Sequence, residues 1–211
     1  MKQTTRRNLL LGAVATTGAA GIIGVARFPG ATQAKAQELT VEDVLFDPVN
    51  PVLGNPDGDL TIVEFFDYQC PYCKANHPDL MDVTGADGNI RLVMKDWPIF
   101  GAPSVRASQL ALGAVDVGAY ETVLAALMAT KGRLSEADIT ATLETAGLDL
   151  GELDGAYRAN RGQWDGLMAR NDFQAAQLGL RGTPAYIIGT TIYPGTMNRA
   201  ELKEAIANAR A

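Results

Sequence analysis

The chain has 211 residues, of which 47% are hydrophobic and 20% charged, the balance of a soluble globular protein with enough length to bury one core. Residues 1–36 hold five basic side chains (Lys2, Arg6, Arg7, Arg27 and Lys35) and no acid, so of 18 Lys plus Arg the rest of the chain keeps 13 against 24 Asp plus Glu, a net charge of −11. A body so acidic repels phosphate backbones and anionic lipid surfaces, which argues against nucleic acid as a partner.

In chain order, the first segment has the parts of a cleavable export signal: a basic start, a weakly apolar run over residues 9–25, and small residues at Ala34 and Ala36. The string T-R-R-N-L-L-L over residues 5–11 is similar to a twin-arginine signal, with a Sec signal that holds two arginines as the alternative. No cysteine follows the apolar run, which excludes a lipoprotein. The run approaches the ~17 to 25 residues that span a bilayer, so a membrane anchor stays open if the signal is not cleaved. Either way the folded body is expected outside the cytoplasm, in a bacterial periplasm, where disulfide chemistry is possible.

Residues 37–58 form a lead whose second half is rich in Pro, Gly, Asn and Asp; it is too short for an oligomerisation stalk, and a monomer is expected. Residues 60–67 are dense in apolar and β-branched side chains and read as a buried central strand. A helix starts at Cys70, with Pro71 in the first turn, where its missing N–H costs nothing. Pro78 removes a helix hydrogen bond and is expected to kink or end that helix, leaving Cys70 at an exposed tip. A second strand over residues 90–95 ends at Asp96, Trp97 and Pro98. Residues 103–180 read as helical, broken into short helices by glycines at 118, 132, 147, 151 and 162, with a start at Ser135 and Asp138. Gly182, Thr183 and Pro184 then introduce a strand at 185–189, which residues 190–194 pair across a tight turn. Asn198 with Glu201 caps a last helix in which Leu202, Ala205 and Ile206 share a face. The order β, α, β, a block of helices, β, β, α predicts an α/β fold: a mixed sheet with a helical insertion.

The only two cysteines stand in C-P-Y-C, directly after a strand and at the start of a helix. With Cys70 as N-cap, its sulfur lies where the N–H groups of Tyr72 and Cys73 point, and the positive end of the helix dipole adds to them. The pKa of Cys70 is therefore expected below the free value of ~8.5. Cys73, one turn on, lies close enough to close a disulfide after a small adjustment. A purely structural bridge over so short a loop would restrict the unfolded chain little. With His77, the only histidine, the cysteines make three zinc ligands where a closed site takes four. Lys74 stands where a c-type haem needs His, and an iron-sulfur cluster needs more cysteines. His77 either raises positive charge near the pair or is a partly exposed helix histidine.

With these features in place, the chain resembles the DsbA-like family of thioredoxin-fold proteins. The matching strings are V-E-F-F-D-Y-Q-C-P-Y-C over residues 63–73 and L-G-L-R-G-T-P-A-Y-I-I-G over residues 178–189. The resemblance implies a thioredoxin-like domain over residues 59–211, with its helical subdomain inserted at about 103–180. It further implies that Pro184 is cis and faces the cysteines, so that Thr183 presents its backbone beside Cys70 for an extended client segment. Glu64 matches a buried family acid that handles the proton of Cys73; pairing with Lys95 at the strand end is the alternative. Pro71 and Tyr72 occupy the dipeptide that tunes redox poise, and Thr183 is shared with isomerase-like relatives. The activity implied is that of a thiol-disulfide oxidoreductase. A dithiol oxidase for exported proteins with free thiols is the foremost form, with a Cys70–Cys73 disulfide as the redox centre, no metal or organic cofactor, and a membrane redox partner that reoxidises the pair. A disulfide reductase or isomerase, a copper-handling thioredoxin-like module and a non-catalytic chaperone are the alternatives.

Overall fold

In the computed structural model, which describes residues 39–211, the chain opens with a short helix, α1 (Val41–Leu45), begun by a capping box between Thr40 and Asp43. The signal read in residues 1–36 lies outside the described residues. A three-residue strand, β1 (Val52–Gly54), follows. Neither element is expected from the lead. Both are too short for hydrophobic periodicity to reveal, and burial of Val44, Leu45 and Leu53 holds them.

Strand β2 (Leu60–Phe66) is buried at all seven positions, because both of its faces are covered. The order β1-β3-β2-β4-β5 places it at the centre of a five-stranded sheet. Strand β3 (Ile90–Asp96) runs parallel to it, joined through helix α2 (Pro71–Asp87), and pairs antiparallel with β1 on its other edge. Strand β4 (Ala185–Ile188) pairs antiparallel with β2, and β5 (Thr191–Pro194) completes a hairpin around Gly189, whose φ is 60°. This is the expected mixed sheet.

Helix α2 passes through Pro78 without ending. The proline forfeits one hydrogen bond, but Leu80, Val83 and Thr84 beyond it are buried, and their burial offsets the loss. The insertion contains helices α3 (Ala102–Asp116), α4 (Tyr120–Met128), α5 (Glu136–Thr145), α6 (Leu150–Ala159) and α7 (Arg161–Gln177). Gly118, Gly132 and Gly147 separate them with φ between 71° and 79°. Gly151 and Gly162 do not break helices: each lies in a first turn, where Gly151 N–H donates to the capping Asp149 at 2.7 Å. Ser135 with Asp138, and Asn198 with Glu201 ahead of α8 (Arg199–Ala209), form the capping boxes read from the sequence.

One sheet face carries Leu60, Ile62, Phe66, Ile90, Leu92, Met94, Tyr186 and Ile188, packed with side chains of α2 to α6 and α8. The other carries Val63, Phe65, Val93, Ala185 and Ile187 against α1, α7 and Trp97. Gly113 sets the approach of α3 to α6: a Cβ there would run into the Leu153 carbonyl oxygen and come within 2.9 Å of the Tyr157 backbone N and Cβ. Gly113→Ala is expected to destabilise the fold by roughly 1–3 kcal/mol, measured as a lowered thermal midpoint, whereas Gly155→Ala, whose Cβ meets nothing within 4 Å, should leave stability unchanged or raised.

Candidate functional site

The site is built where β2 ends. Asp67, immediately after the strand, ties the neighbouring loops together. One carboxylate oxygen accepts the N–H groups of Ile99 (2.7 Å) and Phe100 (3.1 Å); the other accepts Gln69 N–H (2.7 Å) and the Ser104 hydroxyl (2.7 Å). Gln69 in turn reaches the Phe100 carbonyl and accepts Leu134 N–H, each at 3.1 Å. Lys74 donates its amine to the Gly132 carbonyl at 2.9 Å. The loop after β3 and the α4–α5 loop are thereby fastened beside the cysteines. Asp67, Gln69 and Ser104 are the residues that sequence reasoning misses. Asp67 and Gln69 stand just past a strand end and look like an ordinary turn, and Ser104 is one more polar residue in the first turn of α3.

Cys70 is the N-cap of α2, and its sulfur accepts Cys73 N–H at 3.5 Å. In its protonated form the Cys70 thiol donates to the Thr183 carbonyl at 3.1 Å, and the Thr183–Pro184 peptide bond is cis. The Cys73 thiol, the Thr183 side chain and the amides of Cys73 and Tyr72 together pull the Cys70 pKa down to about 6, against burial, which works the other way. Cys70 is not at an open tip: it is 1% exposed, whereas Tyr72 beside it is 64% exposed. Cys73 is fully buried, and burial pushes its pKa far up. The two sulfurs therefore differ in kind, one a stable anion at neutral pH and the other a thiol that holds its proton.

Glu64 lies on the same sheet face as Tyr186. Its Oε1 accepts the Tyr186 hydroxyl at 3.3 Å, and its Oε2 has no protein partner. Burial raises its pKa to about 8; Tyr186 opposes the shift and the charge of Cys70 adds to it. The alternative pairing with Lys95 does not occur. Glu64 is level with Met94 in the parallel register, while Lys95 is level with Phe65 and so occupies the opposite face. There its amine lies 3.5 Å from Asn171 Oδ1 and 5.7 Å from the Phe65 ring centre. His77 is neither a source of charge nor partly exposed: it is buried, its Nδ1 lacks a protein partner, and desolvation lowers its pKa. Among the described residues, no group of three His, Cys, Asp or Glu side chains could hold a metal ion.

The DSBA-like thioredoxin domain family matches residues 61–207. Among solved structures, the chain is similar to a thioredoxin-like oxidoreductase from Silicibacter pomeroyi DSS-3, at 36% identity and a TM-score of 0.77 over 82% of this chain and 98% of that one. It is similar to the thiol-disulfide exchange protein alpha-DsbA2 from Wolbachia pipientis, at 27% identity and a TM-score of 0.73 over 79% and 90% of the two chains. The catalytic domain of Proteus mirabilis ScsC follows at 28% identity and 0.69, over 80% and 93%. A curated relative, Na(+)/H(+) antiporter NhaA 1 of Salinispora arenicola, is 30% identical over 87% of this chain, and the chain spans 29% of that protein's length. Among the described residues no helix is long and apolar enough to cross a membrane.

The asymmetry of the sulfurs is open to direct titration. In the reduced protein, thiolate absorbance and alkylation of Cys70 should rise with a midpoint near pH 6, and Cys73→Ala should move that midpoint up towards ~8.5 by removing its largest donor. Because the folded pKa lies below the unfolded one, the thiolate stabilises the reduced fold at high pH, and this contribution is lost as pH falls through about 6.

Proposed function

Because this chain belongs to the DSBA-like thioredoxin domain family and is a thiol-disulfide oxidoreductase, we propose that it works as a net dithiol oxidase, introducing disulfides into exported proteins through a Cys70–Cys73 disulfide. The observation that carries this direction is the Cys70 sulfur at the N-cap of α2, accepting Cys73 N–H at 3.5 Å, with its pKa pulled down to about 6. An anion held by hydrogen bonds stabilises the reduced enzyme, so electrons flow from client thiols to the pair.

A client thiolate attacks the Cys70 sulfur, the Cys70–Cys73 bond breaks, and Cys73 leaves with the electron pair. Buried as it is, Cys73 cannot stay anionic, and Glu64, with its pKa of about 8, is protonated at neutral pH and supplies the proton. The client is then held on Cys70 as a mixed disulfide beside the Thr183 carbonyl, an acceptor for an added client strand. A second client thiolate attacks the client sulfur, closes the client's disulfide and releases Cys70 as a thiolate. The client has lost two electrons and the enzyme has gained them. A membrane redox partner would take them on. This reading places the protein in the periplasm as a monomer, and the pair needs no metal or organic cofactor for the exchange.

Mixing the oxidised protein with a model peptide dithiol should yield one equivalent of peptide disulfide and the reduced enzyme, and Cys73→Ala, expressed with its export segment, should accumulate client adducts on Cys70. Net reduction of a disulfide peptide by the protein, with the pair found reduced in its native compartment, would reverse the direction in favour of a reductase or isomerase. Stoichiometric copper retained by the reduced protein and lost in Cys70→Ser would replace it with metal handling.

A further inference from the structure

Behind Glu64 lies a second buried acid that the exchange steps above do not use. In the parallel register of β2 and β3, Glu64 is level with Met94 and Phe66 with Asp96. Side chains two apart share a face, so Asp96 stands on the Glu64 side of the sheet, on the diagonal, where neighbours are ~7–8 Å apart. Asp96 is 0% exposed, and its carboxyl oxygens make no well-formed hydrogen bond to protein, Ser108 being the side chain that favours their ionisation. Tyr68, just past the end of β2, packs its ring edge-on against Phe66, 5.1 Å between centres. Tyr120 opens α4. The hydroxyls of both tyrosines are buried and lie near each other without a well-formed hydrogen bond to protein, and Oε2 of Glu64 is likewise unpartnered.

We propose that Asp96 is a positioning residue for the reaction's proton: it acts on Cys73 through Glu64, along a buried seam formed by the Tyr68 and Tyr120 hydroxyls and the water they hold. Buried polar atoms in proteins are nearly always satisfied by a protein group or by internal water. Here five such atoms from four side chains gather on one side of the sheet. Both acids act electrostatically on both tyrosines, so the four groups share one buried region. The other groups facing the seam are Tyr186 from β4, Cys70 and Cys73 from α2, Ser108 from α3, and Asp67. The nearby cation, Lys74, acts on Asp67 and Cys70. Burial raises the Asp96 pKa to about 7, eased by Ser108 and reinforced by Asp67.

The chemistry follows from where charge is left. When Glu64 protonates the departing Cys73, its carboxylate would face the Cys70 thiolate, whose charge already opposes its ionisation. Transfer of the Asp96 proton through the seam restores neutral Glu64 and leaves the anion on Asp96, further from the sulfur. No electrons move in this step. Asp96 then recovers a proton from solvent, so that reduction at neutral pH takes up one proton in all, and on reoxidation the Cys73 proton leaves by the same path.

The inference rests on the exchange reading, and the test separates the two. The rate at which dithiothreitol reduces the protein's disulfide, expressed per dithiothreitol thiolate, is expected to fall as Glu64 loses its proton near pH 8. At the pH of this fall Asp96 has itself ionised, and its charge across the seam favours the proton on Glu64; Asp96→Asn removes that charge, so the fall should move to lower pH by ~0.5 unit or more. In a Glu64→Gln background Asp96→Asn should leave the profile unmoved. Tyr120→Phe, which removes one seam hydroxyl and the donor it offers to an ionised acid, should move the fall the other way, to higher pH, and serves if Asp96→Asn does not fold. A uniform slowing with an unmoved midpoint, or a shift that persists without Glu64, would overturn the inference while leaving the exchange reading intact. A wild-type protein with no reducible disulfide would overturn both.

Discussion

The start of α2 must satisfy its free amide hydrogens with whatever occupies the N-cap, and in this protein that group is a sulfur. The N–H groups of Tyr72 and Cys73, together with the Cys73 thiol, hold Cys70 as an anion. The rest of the structure keeps that arrangement in place. Strand β2, paired on both edges, aims the chain at one point; Asp67 fastens the loops around it; and the strand β4 that pairs with β2 brings Thr183 against the sulfur from the opposite side. Loosening any of these would leave the cysteines in the sequence but without their difference in proton affinity.

Much of this is legible in the residues. The buried run of β2, the Pro71 start of α2 and the two capping boxes each rest on local chemistry that tertiary contacts reinforce, and they fall where the sequence places them. What escapes the sequence depends on contacts distant in the chain. Strand β1 exists because β3 offers it an edge, not because three residues favour a strand. Gly151 and Gly162 resemble helix breakers until the sign of φ is known; only those with positive φ end helices. Lys95 and Glu64 look like a pair until the register assigns them to opposite faces. The burial of Cys70 likewise depends on the Thr183 loop, distant in the chain, that lies against it.

The interior behind the cysteines is polar at a cost. Glu64 and Asp96 are held in a region where a charge is expensive, and both respond by holding protons into the neutral range. Such groups contribute little to stability, and an apolar core would pack there more favourably. Their presence on the Cys73 side of the sheet fits a reaction in which a buried sulfur must gain and lose a proton at each turn.

The dependence of the reduction potential on pH measures this division of protons most directly. A two-electron couple changes by about 30 mV per pH unit for each proton taken up. Below pH 6 reduction should take up two protons, with a slope of about 60 mV per unit; above it Cys70 remains a thiolate, and the slope should fall to about 30 mV per unit. A steep slope that continues unbroken to pH 8 would mean that both sulfurs bind protons alike, and would contradict the account at its base.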